Sequence, residues 1–217
     1  MKKNVVYLLF TYPVGLCIGL AFWLLKILGV LKVKGWENFP HWQERVLVVS
    51  NHPSLLEPAL LIGLFARQYA VRPLRYGPYT LADKKNYCQK WWSWIVMPRL
   101  IAVDRTNEQR ESFGSLVVAR NVLKAGGSII LFPEGGRTFK GTRFVVSESG
   151  KKIRQLKAGF ALLTTVPGTL VVPVWVERNN RNMGITIGIP MTFDNQPKEE
   201  IVQKIQSVLL SLADLAR

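Results

Sequence analysis

Val46-Leu47-Val48-Val49-Ser50-Asn51-His52-Pro53-Ser54-Leu55-Leu56-Glu57-Pro58 begins with four apolar residues, three of them β-branched, and then enters a segment of turn formers. A short apolar run bounded this way reads as a strand buried on both faces. Helical spacing follows over Leu55–Arg67, so the unit is strand, turn, helix. The same order recurs along the chain. Leu100–Val103, Ser128–Phe132, Leu170–Val176 and Gly184–Ile189 read as further strands, and Asp83–Val96, Gln109–Ala125 and Lys152–Thr165 as helices. Pro197 opens a last amphipathic helix with Ile201, Ile205, Val208, Leu212 and Leu215 on one face. Alternating strands and helices predict an α/β fold with a mixed, largely parallel central sheet flanked by helices. No internal repeat or low-complexity linker interrupts it.

Ligands of such folds gather at the carboxyl ends of the strands, and two distinctive segments fall there. One is the turn with His52 and Glu57. On a regular helix a separation of five residues puts two side chains about 140° apart, so His52 belongs to the turn before the helix. Its ring then folds back onto the carboxylate. In that arrangement His52 is a general base, and Glu57 holds the other ring nitrogen and stabilises the imidazolium. Ser54-Leu55-Leu56-Glu57 also has the form of a capping box, Ser54 as N-cap and Glu57 at the third helical position. Both roles draw on the same carboxylate. The other histidine, His41, has no carboxylate in a comparable turn and reads as a surface or packing residue.

The second segment is Phe132-Pro133-Glu134-Gly135-Gly136-Arg137-Thr138. Gly135 and Gly136 let the backbone take positive φ and approach a ligand, and consecutive N–H groups there form an anion nest. Arg137 adds a planar fork suited to phosphate oxygens. Glu134, acceptor-only when ionised, orients Arg137 or a substrate hydroxyl. Arg105, after Leu100–Val103, points to the same crevice, or pairs with Asp104. Lys140, Arg143, Lys151, Lys152 and Lys157 add positive charge, mostly as solvated or headgroup-facing residues. No P-loop, nucleophile-elbow, dinucleotide or zinc-protease motif occurs, and the two cysteines lack metal-ligand spacing.

The sequence of 217 residues has 29 Lys and Arg against 14 Asp and Glu, a net charge of +15, with 48% hydrophobic residues and seven Trp. The charge calls for an anionic partner, and the apolar and Trp content favour a membrane surface. No helix-turn-helix, RRM or zinc pattern supports nucleic acid. Val5–Leu25 is uncharged for 21 residues, enough at about 1.5 Å per residue to cover the roughly 30 Å hydrocarbon core of a bilayer. It reads as an N-terminal membrane helix, with three forms open: spanning or deeply embedded, lying in one leaflet, or a cleaved signal. The division is a membrane-embedded helix at residues 1–32 and a domain at 33–217. The basic remainder belongs on the cytoplasmic face of the inner membrane. Trp91, Trp92 and Trp94 serve either at the membrane interface or in the core.

Together these blocks resemble the glycerolipid acyltransferase superfamily, in particular bacterial 1-acylglycerol-3-phosphate acyltransferases. Asn51, His52 and Glu57 match the N-H-x4-D block, Asp104-Arg105 the end of the second, and Phe132–Arg137 the F-P-E-G-T-R block. Val172-Pro173-Val174 matches the fourth. Val33–Pro40 looks like the lead-in, and Lys157-Ala158-Gly159 like the K-x-G before the fourth block. Two departures stand out: Glu57 replaces Asp, and Gly136 replaces Thr. The resemblance implies a glycerol-phosphate acyltransferase-like fold with His52 and Glu57 as catalytic residues. Arg137, Gly135, Gly136, Glu134 and Arg105 would then form the substrate phosphate site. It implies acyl transfer from acyl-CoA or acyl-carrier protein as co-substrate, with no permanently bound cofactor and no metal. The acceptor is a lysophospholipid, 1-acylglycerol-3-phosphate first, with glycerol-3-phosphate, another lysophospholipid or a glycolipid as alternatives. A non-catalytic lipid-binding protein of the same fold is the remaining one. Anionic membrane lipids are the expected surroundings.

Overall fold

The structure, a computed structural model, describes residues 2–54, 56–84, 90–103, 110–178 and 182–216. A helical turn at Lys2–Val6 leads through a π turn at Tyr7–Thr11 into α1, Tyr12–Ile27. Pro13 lacks the N–H that would bond back one turn, and the π turn lies just before it, where that ladder is interrupted. After α1 come β1 (Leu31–Lys34), β2 (Val46–Ser50), α2 (Glu57–Leu64), α3 (Ala66–Val71), β3 (Tyr79–Asp83) and β4 (Leu100–Val103). Then follow α4 (Arg110–Lys124), β5 (Ile129–Leu131), the hairpin β6 (Phe144–Val146) and β7 (Lys152–Arg154), β8 (Leu170–Arg178), β9 (Met183–Ile187) and α5 (Lys198–Leu215).

The main sheet has seven strands in the order β1-β9-β8-β2-β5-β3-β4. All neighbours are parallel except β8 and β9. β2 lies in the middle, buried at every position. Its alternate residues face opposite sides. Val46 and Val48 pack with Phe22, Leu61, Leu64 and Phe65 beneath α1–α3, and Leu47 and Val49 with Leu123, Ile205 and Leu209 beneath α4 and α5. The mixed, mostly parallel sheet covered on both faces is the architecture expected. β2 and β5 are direct neighbours, Leu47 opposite Ile129, so the two segments that leave their carboxyl ends emerge side by side.

The differences from the sequence reading have local causes. Residues 79–83, in part assigned to a helix over Asp83–Val96, form β3. Each of them is half-buried, and pairing with β5 through Tyr79 and Ile129 overrides their lack of periodicity. Helix in that stretch is limited, among the described residues, to short turns such as Ser93–Val96. Lys152–Thr165 likewise divides into β7, a 3-10 turn at Ala158–Phe160 and a helical turn at Ala161–Thr164. β1 escaped notice because its Lys32 and Lys34 alternate with Leu31 and Val33 on a sheet edge. On α5 the buried face is Ile201, Ile205, Leu209, Leu212 and Ala213, while Leu215 is exposed.

The N-terminal helix is part of the fold rather than an appendage. Tyr7, Thr11, Gly15, Gly19 and Phe22 form a buried stripe along it. A Cβ at Gly15 would overlap the Tyr69 ring, and one at Gly63 on α2 would overlap Phe22. Missing side chains on both partners set the close approach. A boundary after Lys32 would cut through β1, which starts at Leu31. We expect Gly63→Val to push Phe22 out of its seat and lower stability by about 1–3 kcal/mol. Denaturant unfolding in neutral detergent measures this, and an unchanged midpoint would show that α1 is not held there.

Candidate active site

At the end of β2 a side chain extends the sheet ladder. Asn51 Nδ2 donates to the Val176 carbonyl at 2.9 Å, and the Val176 N–H donates to Asn51 Oδ1 at 2.7 Å. This ties the turn to β8 and fixes where His52 leaves the sheet. The His52 backbone is held on its other side as well: its N–H donates to Glu134 Oε1 at 2.8 Å, and its carbonyl accepts from Thr138 N–H at 2.9 Å.

The His52 ring stacks on Phe132, centroids 4.4 Å apart and planes inclined at 23°. Its Nδ1 lies 2.9 Å from Glu57 Oε2. Glu57 is buried, 1% exposed, and an ionised carboxylate only accepts, so the contact assigns the proton to Nδ1 and leaves the Nε2 lone pair free. Nε2 has no protein partner among the described residues, and 15% of the side chain remains exposed. Burial pushes the Glu57 carboxyl up. The hydrogen bonds from His52 and Ser54 outweigh it and hold the pKa below the ordinary 4.5.

Glu57 makes contacts of both kinds foreseen for it, one oxygen to each. Oε1 accepts from Ser54 N–H at 2.9 Å and Ser54 Oγ at 2.6 Å, and Oε2 takes His52. Only the reach-back half of the capping box forms. The helix begins at Glu57 itself, with Leu56 at the N-cap position, and Ser54 Oγ turns to the carboxylate. The longer side chain of Glu, compared with Asp, lets the group span this first turn.

Among the described residues Glu134 forms no hydrogen bond or ion pair with Arg137. It is 1% exposed, and its oxygens accept from His52 N–H, Thr138 Oγ1 at 2.8 Å and Arg154 N–H at 2.9 Å. Burial pushes its carboxyl above the ordinary range, against the pull of those three donors. Of the glycine pair, Gly135 has φ +67°, but its N–H donates to the Phe132 carbonyl at 3.1 Å. A nest would therefore use the N–H groups of Gly136 and Arg137, which have no acceptor among the described residues. Arg137 is half-buried, its guanidinium 5.1 Å over the Phe139 ring. Asp104 and Arg105 lie outside the described residues.

His41 packs against Trp36 and Phe39 and pairs with Gln68 at 3.1 Å, remote from chemistry. Trp91 and Trp94 are on the surface, not in the core, and Trp94 meets Phe10 of the N-terminal helix edge-on. Sequence reasoning missed Thr138 and Arg154 as supports of the site. The alternation Phe144-Val145-Val146 and Lys152-Ile153-Arg154 around Gly150, at φ +82°, was the available hairpin signal.

A family model described as Acyltransferase matches residues 30–177, which include every residue of this site. A probable 1-acyl-sn-glycerol-3-phosphate acyltransferase of Mycoplasma pneumoniae is 32% identical over 139 residues, 62% of this chain and 47% of that protein. The 1-acyl-sn-glycerol-3-phosphate acyltransferases of Borreliella burgdorferi and Pseudomonas aeruginosa are each 27% identical, over 76% and 71% of this chain and 57% and 52% of theirs. The chain thus spans about half the length of the curated relatives it matches. The crystal structure of the 1-acyl-sn-glycerophosphate (LPA) acyltransferase PlsC from Thermotoga maritima aligns with a TM-score of 0.66 at 21% identity, over 95% of this chain and 80% of that one. That likeness carries the fold.

The two carboxylates have opposite pH signatures. Glu57, with its lowered pKa, contributes stability that is present above pH 4.5 and lost as pH falls through its folded value. Glu134, with its raised pKa, contributes stability that is present below 4.5 and lost as pH rises through its folded value. The stability gap between wild type and Glu57→Gln should therefore shrink on acidification, and that between wild type and Glu134→Gln should grow. Glu134→Gln also sets an amide N–H against a donor and should lower neutral-pH stability by about 1–3 kcal/mol. Unfolding curves at several pH values read both signs, and parallel slopes would refute the assignment.

Proposed function

This chain belongs to the acyltransferase family, and on that premise we propose that it moves a fatty acyl group from acyl-CoA or acyl-carrier protein to the free hydroxyl of 1-acylglycerol-3-phosphate, giving phosphatidic acid. The observation that carries this reading is the His52–Glu57 contact at 2.9 Å beside the loop of Gly136 and Arg137. The names of its relatives support the acceptor. His52 Nε2 takes the proton from the hydroxyl as the oxygen attacks the thioester carbonyl. The buried Glu57 carboxylate stabilises the imidazolium formed. The tetrahedral intermediate expels the thiolate, which recovers the proton from His52, so the products are an ester and a thiol. A thiol of pKa about 8.5 leaves readily, and one base suffices for both transfers. The Arg137 guanidinium, with the Gly136 and Arg137 N–H groups, holds the acceptor phosphate, so that positioning supplies much of the rate gain.

The reaction takes place at a membrane surface in this proposal. Asn4–Ile27 is long and apolar enough to cross a bilayer, with mean hydropathy 2.0. One stripe of it docks on the domain, while Leu9, Leu20 and Ile27 are exposed at 63%, 72% and 79%. Exposed apolar surface of that extent needs a non-aqueous neighbour. A helix docked along its length on a sheet domain fits a position within one leaflet, with Trp91 and Trp94 at the headgroups. The cytoplasmic face of the inner membrane supplies the thioester donors and suits the +15 charge.

With labelled acyl-CoA and a panel of lysophosphatidic acid, glycerol-3-phosphate, another lysophospholipid and a glycolipid, the first acceptor should give the highest kcat/KM. A different ranking would reassign the substrate, and lysolipid binding without turnover would replace the enzyme by a lipid-binding protein. His52→Ala should lower kcat by about 10²–10⁴-fold. Glu57→Asp should retain more activity than Glu57→Gln. Arg137→Ala should raise the acceptor KM about tenfold; an unchanged value would remove Arg137 from the site. Separately, Leu20→Lys should weaken co-sedimentation with anionic vesicles, and undiminished sedimentation would refute insertion of that face.

A further inference from the structure

Beside the catalytic loop, the base of the β6–β7 hairpin forms a cleft of about 230 Å³ lined by Thr142, Arg143, Arg154, Gln155, Leu156 and Lys157. Three of the six are cations and none is acidic. Among the described residues none of the three is in an ion pair, whereas nearby Lys151 pairs with Glu177. The cleft is joined to the catalytic turn by backbone contacts on both sides. Arg154 N–H donates to Glu134, the carboxylate that also holds His52, and Lys157 N–H donates to the Pro133 carbonyl at 3.0 Å.

Two of the cations are positioned by glycines. A Cβ at Gly135 would overlap the terminal methylenes of Lys157, and a Cβ at Gly141 would overlap the stem of Arg154. Each stem thus lies along backbone that has no side chain of its own. Three cations with no ion-pair partner among the described residues, gathered at the base of a short hairpin, are stabilised together by a multiply charged anion.

We propose that this cleft is a second phosphate subsite, separate from that of Arg137, which takes a phosphate group of one of the two substrates. It rests on the acyl-transfer reading above for the identity of those substrates. The shared chemistry is a phosphate or diphosphate ester, carried by the acceptor or by the acyl-CoA donor.

The binding half of the test needs no turnover. Inorganic pyrophosphate is titrated calorimetrically into Arg137→Gln protein in uncharged detergent. One site should persist and weaken about tenfold or more when Arg143 and Lys157 are also changed to Gln. Absence of binding to Arg137→Gln, or binding indifferent to the added changes, overturns the proposal. The single substitutions, at exposed positions, are measured alongside so that an unstable multiple variant still leaves a reading. Kinetics of Arg143→Gln/Lys157→Gln then assign the source. A raised KM for lysophosphatidic acid alone identifies the acceptor. A raised KM for palmitoyl-CoA, but not for the phosphate-free palmitoyl-N-acetylcysteamine, identifies the donor. If neither KM moves, the cleft is not a substrate subsite. If pyrophosphate binds in the cleft but wild type transfers no acyl group, the proposed activity fails while the anion site stands.

Discussion

Glu134 stands where three segments remote in sequence converge, and it is the only carboxylate among the described residues that touches all of them. It accepts from the backbone of His52 after β2, from Thr138 in its own loop, and from the backbone of Arg154 on β7. A buried carboxylate is costly unless its lone pairs are matched. The fold matches them with donors from the elements the chemistry needs together. Parallel pairing of β2 and β5 brings the two loops side by side, but pairing alone sets only a strand spacing. The carboxylate converts that proximity into a fixed placement of His52 against the loop of Gly135 to Thr138.

The same logic divides labour between two acids close in space. Glu57 is coupled to a ring that can itself titrate, and its hydrogen bonds from His52 and Ser54 favour the ionised carboxylate. Glu134 is coupled to the backbone N–H of His52, not its ring. A carboxylate raised by burial can serve there because its partners never titrate. Environment rather than residue type separates the carboxylate on the ring from the carboxylate on the backbone.

What was legible in the sequence was whatever short-range chemistry decides. The apolar run Val46–Ser50 matches its strand residue for residue, because a buried parallel strand leaves no polar face to blur the pattern, and Leu100–Val103 matches its edge strand as well because its run is uniformly apolar. The His52–Glu57 turn was readable because its partners are five residues apart. The contacts of Glu134 were not legible because two of its three partners are 82 and 20 residues away and its backbone donors leave no trace in side-chain identity. The β6–β7 hairpin was lost for a related reason. Its lysines and arginines resemble a solvated helix face until Gly150 is taken as a turn.

The apolar N-terminal helix and the Glu57 carboxylate meet at one element, α2. α2 begins with Glu57 and, two turns on, carries Gly63, which receives Phe22 of α1. The first turn of α2 is thus fixed by Ser54 and His52 while its last turn is fixed by a helix whose outer face is apolar. Glycine at that crossing brings the backbones close enough for a short helix to be rigid at both ends, which eight residues could not achieve by their own hydrogen bonds. Docking α1 and contacting the His52 ring therefore draw on the same short helix. The exposed apolar face of α1 and the carboxylate that contacts the His52 ring are thereby linked through α2.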